Sequence, residues 1–133
     1  MSYKGTYKGN KFRSLMELSF MLLKESEGHI IGETLLYEKL SVYYKIGKNG
    51  RDRKYIIDFY DEKNKIAYEV KPASRVNNRI NVAKAKAARE HLKKCDIIYK
   101  IVCEADIKKL ITYKEAKLIK DVSFKMKRKK RAK

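Results

Sequence analysis

The chain has 133 residues, with 34 Lys and Arg against 16 Asp and Glu and a formal net charge of +18. That length supplies one hydrophobic core and excludes two independent domains, while the charge makes a polyanion the leading partner. No apolar run reaches the length of a membrane span and the first residues lack a signal-peptide core, so no membrane partner and a cytoplasmic location are expected.

Residues 1–11 are polar and basic, with a twice-used Tyr-Lys-Gly unit (Tyr3-Lys4-Gly5 and Tyr7-Lys8-Gly9), and are expected to form a flexible lead-in. Residues 14–25 predict the first helix, because Leu15, Leu18 and Leu22 recur at helical spacing. Ser14 followed by Glu17 has the pattern of a capping box. Residues 33–44 are β-prone, and Gly47-Lys48-Asn49-Gly50 is a turn signal. Two more apolar-rich runs, residues 55–60 and 65–71, flank the polar stretch 61–64 and predict a hairpin. Three antiparallel strands in a row are therefore expected.

Pro72 ends the third strand. Residues 80–94 read as a helix with a small-residue face built on Ala83, Ala87 and Ala88. Residues 96–103 form an apolar strand, parallel to 65–71 across the helical crossover. A short helix from Glu104 follows, and residues 114–133 read as a basic tail, with residues 124–133 free of acids. Residues 12–113 then make one domain, an α/β sandwich of order α-β-β-β-α-β-α around a mixed sheet. Cys95 and Cys103 flank a strand and are too far apart for a local bridge, and with only His29 and His91 there is no zinc spacing.

Strand alternation places Ile66, Tyr68 and Val70 on one face and Ala67, Glu69 and Lys71 on the other. If Lys63 and Asn64 form the turn, Asp58 lies directly opposite Glu69. Opposed carboxylates repel, and a hard cation such as Mg²⁺ would neutralise them. The alternative is a solvated outer face on which Glu and Lys simply meet water.

A helix bearing an acid, then D-x(10)-E-x-K on strands, then a helix and a strand resembles the PD-(D/E)XK nuclease superfamily, with Ile57 where its namesake proline would stand. Phage junction-resolving endonucleases share Arg13-Ser14 before the acidic helix, Asp58-Phe59 and the basic C-terminus. Head-completion nucleases of large tailed phages are more similar still, through Tyr7-Lys8-Gly9, Phe20-Met21, Glu69-Val70-Lys71-Pro72 and the Asn/Ala/Lys-rich helix.

The resemblance implies a restriction-endonuclease-like fold and an Mg²⁺-dependent DNA endonuclease, with Mn²⁺ able to substitute. It implies that Asp58, Glu69 and the Val70 carbonyl hold the metal. Lys71 would activate water, and Glu17 would complete the metal site. Arg13, Arg79, Lys84, Lys86, Lys127, Arg128, Lys129, Lys130 and Arg131 would grip the DNA backbone without reading bases. A phage origin would add head proteins as partners and the host cytoplasm or phage particle as location, and paired cuts would call for a homodimer. Two rivals share the charge: a non-catalytic DNA-binding head protein with this fold, and an RNA-binding protein using Tyr43, Tyr44, Tyr55 and Tyr60.

Overall fold

The computed structural model describes residues 3–125; Lys127, Arg128, Lys129, Lys130 and Arg131 lie outside the described residues. Within them the chain runs β1 (Gly5–Tyr7), β2 (Asn10–Phe12), α1 (Leu15–Ser26), β3 (Leu36–Tyr37), β4 (Ser41–Tyr44), β5 (Arg53–Ile56), β6 (Phe59–Asp61), β7 (Ile66–Val70), α2 (Arg79–Lys93), β8 (Ile98–Val102), α3 (Tyr113–Lys117) and β9 (Val122–Phe124). The mixed α/β architecture is as expected. Its central sheet has the order β3-β6-β7-β8, with β6 antiparallel and β8 parallel to β7.

Burial on both faces of β7 sets the layers. Tyr68 and Val70 join Leu18, Phe20 and Met21 of α1 in one core, where Phe20 lies 5.1 Å from the rings of both Phe59 and Tyr68. Ala67 points the other way, into a second core with Ala88 and Leu92 of α2 and Val42, Tyr44 and Tyr55 of the β4–β5 pair. Alanines at 67, 85 and 88 bring α2 close to the strands, since each contributes little more than a methyl group. Helix α1 begins at an N-cap in which Ser14 Oγ accepts the Glu17 N–H at 3.1 Å.

The expected hairpin forms in register. Phe59 pairs with Tyr68 and Asp61 with Ile66, the Lys65 N–H closes a turn onto the Glu62 carbonyl, and both Asp61 oxygens hold Asn64. The three-strand meander does not form as one sheet. The 55–60 run divides, its first part pairing with β4 in a separate two-stranded sheet and its second lying in the central sheet. The reason is a bulge. Tyr37 pairs with Phe59 and Ser41 with Ile56, so residues 38–40 oppose only residues 57–58. Glu38 takes the left-handed conformation (φ 53°) that absorbs the extra residue.

Described parts of the expected lead-in and basic tail, Gly5–Tyr7, Asn10–Phe12 and Val122–Phe124, form strands. β1 and β2 form a hairpin, and β9 adds to the outer edge of β1, closing a three-stranded sheet over Phe12. A Cβ on Gly5 would lie 2.2 Å from the Ser123 carbonyl and 2.9 Å from the Phe12 ring. Gly5→Ala is therefore expected to cost about 2 kcal/mol by forcing β1 from β9. The urea midpoint checks this, and an unchanged midpoint would mean that β1 is not docked.

Candidate active site

Strand pairing places Asp58 and Glu69 opposite each other immediately beyond the Phe59–Tyr68 pair, beside the bulge. The two residues are laced through the backbone: the Val70 N–H donates to Asp58 Oδ2 at 2.8 Å, and the Asp58 N–H faces Glu69 Oε1 at 3.4 Å. Lys71 Nζ sits 3.2 Å from Glu69 Oε2 and donates to Asn81 Oδ1 at 2.7 Å. Asn81 is fixed in turn. It lies in the first turn of α2, its N–H capped by Asn78 Oδ1, and its amide donates to the Arg75 carbonyl at 2.8 Å.

Glu17 enters from α1 on the opposite layer. Its expected reciprocal bond to the Ser14 N–H is not formed. Glu17 Oε1 instead accepts the Arg13 N–H at 3.0 Å and the Tyr37 hydroxyl at 3.1 Å. The side chain has turned from the cap toward the sheet, and the Tyr37 ring, packed 5.3 Å from Phe59, holds it there. On the α2 side, the Tyr55 and Tyr99 hydroxyls meet at 2.8 Å next to Glu69.

The electrostatics follow from confinement. Burial, then the charges of Glu69 and Glu17, push the Asp58 carboxyl up to about 9. Burial also raises Glu17, against the bonds from Arg13 and Tyr37 that favour its charged form. Tyr55 and Tyr99 are raised far above the ordinary phenol range by burial, with Glu69 adding to both, so their hydroxyls stay protonated.

Among the described residues, no group of three His, Cys, Asp or Glu side chains is arranged to hold a metal ion as it stands. The donor chemistry nevertheless fits a hard cation. The acids are oxygen donors, Glu17 and Glu69 are buried at 7% and 6% exposure, and confinement together with their charge makes Asp58 hold a proton that a cation could replace.

The residues proposed for DNA contact are scattered. Arg13 is exposed and paired with Glu38. Lys84 is half-buried over the rings of Tyr44 and Tyr55, at 5.9 and 5.3 Å. Lys86 is exposed beside Tyr43 and Glu90, and Arg79 reaches toward the Gly47 turn. Of the four tyrosines considered for stacking, Tyr44 and Tyr55 are buried and Tyr43 is 59% exposed.

Against known proteins, the family described as TnsA-like endonuclease N terminal matches residues 33–104, just over half of the chain. The chain belongs to this family. No curated protein and no solved structure matches it. The TnsA-like span runs from before β3 to the turn after β8, so it holds Asp58, Glu69, Lys71 and Asn81, while Glu17 precedes it. Membership places the chain among the restriction-endonuclease-like proteins, as the motifs implied, and its endonuclease character implies DNA as the substrate. Among the described residues, no helix is long and apolar enough to cross a membrane.

Reading from sequence missed Tyr37 and Asn81. Tyr37 carried no signal beyond a β-prone stretch, whereas Asn81 stands three residues after the cap Asn78, where a side chain faces back toward the preceding loop.

A carboxyl raised by folding stabilises the protein fully below its usual value of 3.8 and loses that contribution as pH climbs to about 9. Metal-free protein should therefore lose stability across this window, by at most about 1.4 kcal/mol per pH unit for one proton. Asp58→Asn should flatten the slope and melt higher than the parent at alkaline pH. Melting curves in EDTA at several pH values check this, and parallel pH profiles would contradict it.

Proposed function

We propose that the chain is an Mg²⁺-dependent DNA endonuclease that hydrolyses phosphodiester bonds at the Asp58–Glu69–Lys71 cluster. The observation carrying this reading is the grouping of Asp58 with the buried carboxylates Glu69 and Glu17, from two layers, beside a lysine amine paired with Glu69, in a protein of net charge +18. Asp58, Glu69, the Val70 carbonyl and Glu17 would hold the ion, with Mn²⁺ able to replace it. Mg²⁺, when bound, would supply positive charge at the scissile phosphate.

The protein's own groups do the rest. Glu69 and Asn81 fix the Lys71 amine from two sides, so its N–H groups can orient water and meet charge developing on the phosphate. Tyr37 keeps Glu17 turned toward the cluster, and the Val70 N–H keeps Asp58 in place. The Tyr55–Tyr99 pair closes the α2 side of Glu69.

The motif resemblance to head-completion nucleases and junction-resolving endonucleases supports DNA ends or branched DNA as the form cut, in a phage setting with head proteins as partners. One cluster per chain cuts one strand, so paired cuts would use two copies. A purely DNA-binding role would leave the buried carboxylates without a use.

Asp58→Ala and Glu69→Ala should each lower Mg²⁺-dependent nicking of supercoiled DNA about 100-fold or more while leaving DNA affinity near the parent value. Asn81→Ala should lower nicking by roughly 10-fold to 100-fold through misplacement of Lys71. Nicking and anisotropy assays on the same preparations give both numbers. Parental nicking by either carboxylate variant would remove the proposed centre.

A further inference from the structure

We propose that the cleft between the β2-β1-β9 sheet and strand β3 binds the sugar–phosphate backbone of a DNA strand on one flank of the carboxylate cluster. The cleft has a volume of about 490 Å³, room for a short stretch of one strand and far too little for a duplex. Phe12, Phe124 and Tyr37 contribute apolar wall, and Lys4, Lys11, Arg13 and Lys125 line it with four cations against a single carboxylate, Glu38. Arg13 already pairs with that carboxylate. Lys4, Lys11 and Lys125 are exposed, and none has an ion-pair partner among the described residues.

Position ties the cleft to the reaction. Arg13 and Tyr37 belong both to its wall and to the bonds that hold Glu17, so a strand lying in the cleft passes directly beside the cluster. The folding of the chain ends builds it: β9 brings Lys125 against Lys4, the Lys125 N–H donating to the Lys4 carbonyl at 2.8 Å. Phosphates recruited by several lysines give attachment that is independent of sequence and sensitive to salt.

The direction of the strand rests on the proposed cutting centre, but the binding itself does not. Anisotropy of labelled single-stranded DNA, plain duplex and duplex with a single-stranded arm, measured in EDTA over a range of salt, tests the cleft. The variant Lys4→Gln/Lys11→Gln/Lys125→Gln should bind about tenfold or more weakly, with the log–log salt slope reduced by roughly 0.7 to 0.9 for each lost contact. Lys63→Gln/Lys65→Gln/Lys94→Gln, an equal loss of charge at the other end of β7, should change little. Single Lys11→Gln should show a smaller loss in the same direction, so the result does not depend on the triple variant alone. Loss confined to probes with single-stranded DNA identifies a free strand as occupant, and loss on plain duplex identifies one strand of a helix. Equal weakening by both triple variants, or no weakening by the cleft variant, overturns the proposal. Absence of nicking with Mg²⁺ would sink the proposed reaction while leaving the cleft result standing.

Discussion

Asp58 and Glu69 are pressed together by backbone pairing that neither side chain can escape. The register fixes them opposite each other, and Asp58 reaches across to the N–H of Val70 beyond Glu69. Two carboxylates confined side by side, one of them buried, cannot both be charged without compensation. One lysine amine, backbone N–H groups and a proton on Asp58 supply it in the metal-free protein. An arrangement so unfavourable for folding alone concentrates at working sites, and the proposed cation and phosphate would relieve it.

The rest of the architecture serves to hold that cluster rigid. Because β7 is buried on both faces, α1 delivers Glu17 from one layer and α2 delivers Asn81 from the other. The bulge at Glu38 sits opposite Asp58 and turns the strand where β4 and β5 leave the central sheet, while Tyr37, just before it, reaches Glu17. Each catalytic candidate is therefore on a regular element or beside one, and its rotamer is set by a bond to a second residue.

The Asp58–Glu69 pairing was legible because period-two alternation and a short turn at Lys63-Asn64 leave one register. The parallel β7–β8 pair was legible from the intervening helix. What escaped was information not written locally. A single left-handed Glu38 has no sequence signature, unlike the glycine such a bulge usually carries, so one long run was read where two strands in two sheets exist. The β1–β9 pairing joins opposite ends of the chain, and three-residue strands give no usable periodicity. Glu17 was singled out by its motif, yet its side chain bonds the Arg13 N–H and the Tyr37 hydroxyl, not the Ser14 N–H, since a carboxylate three residues after Ser14 and four after Arg13 can bond either. Lys84 was read as a surface cation because its aromatic neighbours lie on distant strands.

The central claim is that the carboxylate cluster is completed by a cation. The most direct measurement is the melting temperature of the parent and of Asp58→Asn/Glu69→Gln at neutral pH as Mg²⁺ is raised, without DNA. Binding to the folded state alone raises stability with ligand concentration. The account predicts a rising melting temperature for the parent and a flat one for the double variant, which starts higher because its repulsion is gone. An equal response from both proteins, or none from the parent, would contradict it.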